Sequence, residues 1–178
     1  MGHLLLKRVG PGSAEVEKRT KSGILDERRR LALMLDYEFG PGTSRALPAE
    51  GLEFLYSRKS ERLKQVNHAE RLFVVIRPSG AIALTLYAAS TLSSSRKFLE
   101  NSVTVDDEAV PFVRKGKSVF CKFVLRVGRH VLPGGEVVVL DRKGRPIGIG
   151  RAKIAGRYMR EFKGGVAVKV RGISNEDG

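Results

Sequence analysis

Between residues 103 and 173 the chain is cut into short apolar runs, at 103–105, 119–125, 136–140, 147–154 and 166–170. Runs of this length, rich in Val and Ile and bounded by turn residues, read as strands. Pro133-Gly134-Gly135 is a turn, and Arg142-Lys143-Gly144-Arg145 closes a hairpin. Two helical inserts interrupt the strands. Asp106-Asp107-Glu108 places carboxylates where a helix N-terminus attracts them, and that helix runs to about Lys115 before Gly116 stops it. A second insert covers about residues 157–162. Short, closely spaced strands with two helical inserts predict a small closed barrel, which leaves no sheet edge exposed.

The preceding region mixes both periods. Asp26 is placed to cap a helix over residues 27–39, in which Leu31, Met34 and Leu35 recur at helical spacing, and Gly40-Pro41-Gly42 ends it. Strand-like runs follow at 52–56, 63–66, 72–76 and 82–86, the last two joined by the turn Pro78-Ser79-Gly80. Residues 88–92 form a short helix, and Ser93-Ser94-Ser95-Arg96-Lys97 reads as an interior linker. The expected class is α+β: an N-terminal arm (1–25), a small α+β domain (26–100), a β-barrel or pseudo-barrel domain (101–174) and a tail (175–178).

Positive charge is spread along the whole chain. Residues 1–100 carry 17 basic and 11 acidic residues, a surplus of 6, and residues 101–178 carry 16 and 8, a surplus of 8, giving the net +14. A basic tail would concentrate the surplus, so this distribution points to cationic folded surface. Such surface attracts a polyanion through release of condensed counterions. One glutamine (Gln65) and three asparagines (Asn67, Asn101, Asn175) fit a thermophile's avoidance of labile amides. Thermophily raises both charge signs, however, and here one sign dominates. No apolar run approaches the roughly 18 residues of a membrane span, and Leu4-Leu5-Leu6 is too short for a signal-peptide core, so the chain is read as cytoplasmic. Cys121 stands alone, a small core side chain rather than part of a disulfide framework or zinc cluster.

Three stretches of the last region carry a family likeness. They are Asp106 to Phe120 (with Pro111-Phe112-Val113-Arg114-Lys115-Gly116-Lys117-Ser118-Val119-Phe120 at its centre), then Leu132-Pro133-Gly134-Gly135-Glu136-Val137 with Pro146-Ile147-Gly148-Ile149-Gly150, and finally Phe162-Lys163-Gly164-Gly165-Val166 through Arg171. In this order they resemble the PUA domain, named for pseudouridine synthases and archaeosine transglycosylases. Asp36-Tyr37-Glu38-Phe39-Gly40, Leu55-Tyr56-Ser57-Arg58-Lys59-Ser60 and Phe73-Val74-Val75-Ile76-Arg77-Pro78 resemble the domain that precedes PUA in archaeal tRNA-guanine transglycosylases. The resemblance spans about residues 28–173. It does not extend to that family's catalytic barrel or cysteine-rich zinc site, for which 178 residues with one cysteine have no room.

The likeness implies an RNA-binding face made by the glycine loop and the final strand. Gly116 lets a phosphate approach the backbone, with Arg114, Lys115, Lys117 and Ser118 around it, although the same residues also suit a plain helix stop with solvated charges. Lys169 and Arg171 alternate with Val168 and Val170, which puts both on the solvent side of one strand. Lys163 and Gly164 offer a further contact or a simple turn. Arg151 reads as structural. Arg58, Lys59, Arg62 and Lys64 form a second basic group in the first domain. Arg28-Arg29-Arg30 suits phosphate contact and helix solvation equally.

His3, His68 and His130 lack metal-ligand spacing, no nucleophile–base pair or G-x-S-x-G elbow occurs, and Gly148-Ile149-Gly150 is too short for a dinucleotide fingerprint. The expectation is a protein with no cofactor, no metal and no catalysis of its own, binding structured RNA. tRNA near its acceptor stem or 3′ end is the favoured ligand, with a separate catalytic protein as a partner in tRNA modification. rRNA, and with it ribosome assembly or translation initiation, is the alternative. A free-standing RNA-modifying enzyme ranks last.

Overall fold

A computed structural model describes residues 21–173. The expected tail and most of the expected arm lie outside the described residues. Helix α1 (Lys21–Phe39) begins within the expected arm and passes through Asp26, which therefore caps nothing. Gly23 costs a helix interior only about 1 kcal/mol, too little to break it. Leu31, Leu35 and Phe39 form the buried stripe. At its end the Asp36 carboxylate accepts from Ser44 N (2.7 Å) and Ser44 Oγ (2.9 Å), and Thr43 Oγ1 donates to Phe39 O (3.2 Å). These bonds hold the next turn (Thr43–Ala46) against the helix.

Strands β1 (Leu52–Tyr56), β2 (Leu63–His68), β3 (Arg71–Ile76) and β4 (Ile82–Leu84) form an antiparallel meander in sequence order. β4 stops two residues earlier than expected because Thr85 leaves the sheet to cap α2 (Leu86–Leu92), its Oγ1 accepting from Ala88 N (3.1 Å). The expected linker is not one. Ser95 caps a further short helix, α3 (Arg96–Leu99), whose Phe98 is buried edge-on against Phe39 with ring centroids 5.5 Å apart.

The second region holds β5 (Ser102–Val105), α4 (Val110–Arg114), β6 (Val119–Phe120), β7 (Val124–Val127), β8 (Glu136–Leu140), β9 (Pro146–Ala152), α5 (Gly156–Met159) and β10 (Val166–Ile173). The sheet runs β6-β10-β9-β8-β5-β7, with β5 and β8 parallel and the other pairs antiparallel. The single strand expected over 119–125 is two strands split by a 3-10 turn at Cys121–Phe123. Through that turn the chain leaves one edge of the sheet and enters the other, so the two outer strands adjoin in sequence and the barrel is nearly closed. The β8–β9 turn forms as expected: the Asp141 carboxylate accepts from Arg145 N (2.9 Å) and Arg145 Nε (2.7 Å). These bonds outweigh burial and hold the Asp141 carboxyl below its usual range.

Every residue of β8 is buried. Val137 and Val139 face the barrel interior, whereas Val138 and Leu140, with Ile149 of β9, join the core built by α1, α2 and the meander. A strand covered on both faces loses alternation and becomes a continuous apolar run. The two domains thus share a core. Glu136, at the head of β8, anchors the seam: its carboxylate accepts from Leu84 N (3.1 Å), from Arg77 (3.5 Å) and from Arg171. Burial pushes its pKa up, with Arg171 pulling the other way. Glu38, which accepts from Ile82 N (2.7 Å), is raised mainly by burial as well. Asn101 Nδ2 crosses the same seam to Phe39 O (2.8 Å).

The Gly148-Ile149-Gly150 segment serves strand packing. A Cβ at Gly150 would sit 2.4 Å from the Lys169 carbonyl oxygen and 2.8 Å from Val168 Cγ1. Gly150→Ala should therefore lower stability by about 2 kcal/mol through overpacking against a hydrogen-bonded neighbour. Chemical denaturation checks this, and a midpoint equal to that of the parent chain would mean that β9 and β10 part freely.

Candidate nucleic-acid interface

The turn between α4 and β6 is set by local rules. The Asp106 carboxylate accepts from Glu108 N (3.2 Å), and Pro111 sits in the first helical turn, where its missing N–H costs nothing. At the other end Lys117 N donates to Phe112 O (2.9 Å) and Gly116 N to Val113 O (2.8 Å), a paired closure that needs a left-handed residue between them. Gly116 supplies it with φ +75°. Nothing lies within 4 Å of where its Cβ would stand, so its backbone is open to an approaching phosphate. Arg114, Lys115 and Lys117 are exposed around it, and Ser118 is half-buried.

Register then brings β10 alongside. Val119 pairs with Val168 and Phe120 with Val166, so the loop ends beside Lys169. Lys169 is exposed and directly opposite Arg151, which is also exposed. On its other side Arg151 is paired in the ladder with Glu136 of β8, and its charge also acts on the Glu38 carboxylate. Lys163 and Gly164 are exposed in the turn before β10, where Gly165 O accepts from Cys121 N (3.0 Å) and ties that turn to the far end of β6.

Arg171 keeps the expected alternation, exposed like Lys169 with Val168 and Val170 buried, but it does not stay a free surface cation. A bulge between Val170 and Gly172 takes it out of the ladder and turns its guanidinium onto Glu136 and the Leu84 carbonyl (3.1 Å). Its charge is engaged in the domain seam. Arg58, Lys59 and Arg62 lie in the β1–β2 turn, held by Ser57 N donating to Arg62 O (2.9 Å). This group belongs to the four-stranded sheet, whereas the glycine loop adjoins the six-stranded one.

One part of the surface was missed in the sequence. Phe112 (56% exposed) and Phe120 (46%) flank an apolar groove of about 430 Å³, with Lys117, Ser118 and Lys122 at its rim. Lys122 Nζ lies 4.7 Å from the centre of the Phe123 ring. The signal was the interleaving of Phe112, Phe120 and Phe123 with lysines, a pattern suited to stacking bases beside phosphates. Among the described residues no cluster of His, Cys, Asp and Glu is placed to hold a metal ion, and no helix is long and apolar enough to cross a membrane.

Comparison with known proteins gives two family matches. Residues 101–174 match the PUA domain, and residues 29–98 match the patch-forming domain C2 of tRNA-guanine transglycosylase. The tRNA-guanine(15) transglycosylase of Pyrococcus abyssi is 35% identical over 160 residues, which are 89% of this chain and 26% of that protein. Its counterpart from Thermococcus onnurineus is 32% identical over 152 residues, 85% of this chain and 26% of that protein. The chain spans about a quarter of the length of these curated relatives. Among solved structures, a conserved PUA domain protein from Thermoplasma acidophilum superposes with a TM-score of 0.63 at 19% identity, covering 92% of this chain and 96% of that one. A PUA domain from Aeropyrum pernix gives 0.64 at 20% identity, covering 92% and 88%. At these identities the structural likeness speaks for the fold.

Proposed function

We propose that the chain, which matches the PUA domain over residues 101–174 and the patch-forming domain C2 of tRNA-guanine transglycosylase over residues 29–98, binds structured RNA without itself performing catalysis, gripping tRNA near the acceptor stem or 3′ end. The observation that carries the reading is the open loop at Gly116, ringed by Arg114, Lys115 and Lys117 and set beside Lys169. The cations there hold phosphates, which Gly116 lets come close because it has no side chain, while Phe112 and Phe120 offer ring faces to bases that leave the helical stack. A-form RNA hides its base edges in a deep, narrow groove, so contacts to phosphate, 2′-hydroxyl and unpaired ends dominate. Lys163 and Gly164 extend the track along β6. Arg58, Lys59 and Arg62 form a second contact in the first domain, and Arg171 acts through the seam that sets the angle between the two. The chemistry of modification is supplied by a catalytic unit of the transglycosylase kind, to which this region presents the tRNA.

The test compares two charge-matched pairs. Lys115→Ala with Lys117→Ala should weaken tRNA binding about tenfold, as expected for losing two phosphate contacts. Lys18→Ala with Lys21→Ala should change it less than threefold, by the same reasoning. Equal losses in a filter-binding assay would leave only diffuse charge and remove the loop as a site.

A further inference from the structure

A second cationic feature lies at the barrel end opposite the β8–β9 turn. There α5 sits directly on the segment following β7: Gly156 N donates to Val131 O (2.9 Å), and a Cβ at Gly156 would meet Val127 Cγ1 at 2.6 Å. Between them opens a cavity of about 540 Å³ lined by Arg129, Arg157 and Arg160, with Glu161 the one acidic residue in its wall. Arg129 and Arg160 make no ion pair among the described residues, and Arg157 lies over the Tyr158 ring, 4.8 Å from its centre. Tyr158 and Phe162 stack nearly parallel, 11° between planes and 5.9 Å between centroids, yet remain 39% and 50% exposed.

Three exposed arginines share this cavity with one acidic residue, Glu161, so a net positive potential faces any anion that enters it. The planar guanidinium fork matches the oxygens of a phosphate better than an ammonium does. Exposed stacked rings next to such a fork suit an unpaired base beside its own phosphate. Chain continuity links the cavity to the loop site: Lys163 to Gly165 follow Arg160 within five residues, and Gly165 is bonded to Cys121 at the end of β6.

We propose that the Arg129–Arg157–Arg160 cavity is a second RNA site, in which Arg129 and Arg160 hold one backbone phosphate and the Tyr158–Phe162 stack receives an adjacent unpaired base. This rests on the RNA-binding reading above and adds to it a separate contact that extends the footprint along β6. The probe is a tRNA transcript, bound by the full chain over a range of salt concentrations, with Arg129→Gln/Arg160→Gln and Lys115→Ala/Lys117→Ala measured in parallel. The arginine variant should bind roughly tenfold more weakly, with the slope of log affinity against log salt reduced by about 1. If it melts earlier than the parent chain, Arg160→Gln alone replaces it, with a loss of roughly threefold expected. Unchanged affinity and slope in the arginine variant, while the lysine variant weakens, would overturn the cavity site and leave the loop site standing. Absence of tRNA binding by the parent chain would overturn both.

Discussion

Glu136→Ala is expected to lower the stability of the chain by about 3 kcal/mol, the effect of breaking a buried ion pair by removing one partner. The carboxylate is buried and receives Leu84 N, Arg77 and Arg171 together. Its loss strands three donors at the seam between the two domains. The figure stands at the low end of the usual range because the Arg171 side chain is 34% exposed and water takes over part of its solvation. In a chain of this size the change corresponds to a fall in melting temperature of roughly 6–12 °C. Glu136→Gln keeps an acceptor for Leu84 N and should lose about half as much, by the same hydrogen-bond accounting. Because Val138, Leu140 and Ile149 lie in the first domain's core, the parent chain should melt in one transition. A melting point unchanged by Glu136→Ala would mean that the seam is held by apolar packing alone.

Much of this fold was legible because turn chemistry is local. The Gly116 stop, the Arg142–Arg145 turn and the Pro78-Ser79-Gly80 turn each depend on a few adjacent residues. The departures share a different cause: each depends on a partner distant in sequence. Residues 119–125 read as one strand because they form one apolar run, and an apolar run does not register a change of sheet edge. Ser93-Ser94-Ser95 has the composition of a linker, yet Ser95 is a helix cap whose purpose is visible only once Phe98 meets Phe39. Arg171 follows the alternation of Lys169, but the acceptor that engages it, Glu136, is 35 residues away and invisible to a strand period. The uninterrupted burial of β8 was a signal of two-sided packing that alternation alone does not interpret.

The candidate site was partly legible. Arg114, Lys115, Gly116 and Lys117 share one loop, and strand register adds Lys169. Arg58, Lys59 and Arg62 lie on the other sheet, and Arg151, read as structural, faces Lys169 directly. The aromatic groove escaped notice because Phe112 and Phe120 look like ordinary core residues until their exposure is seen. Exposed rings framed by cations are what separate a nucleic-acid surface from one that is merely charged.

The central claim is that this surface grips RNA through phosphate contacts, and salt tests it most directly. Each neutralised phosphate releases counterions, so a footprint of about six phosphates weakens binding roughly a thousandfold between 50 and 200 mM salt. The net charge of +14 sets the attraction, but only charges that touch phosphates set the slope. Equilibrium binding of tRNA across that range should therefore give a steep linear fall of log affinity with log salt. A flat line, or no binding at 50 mM, would contradict the account.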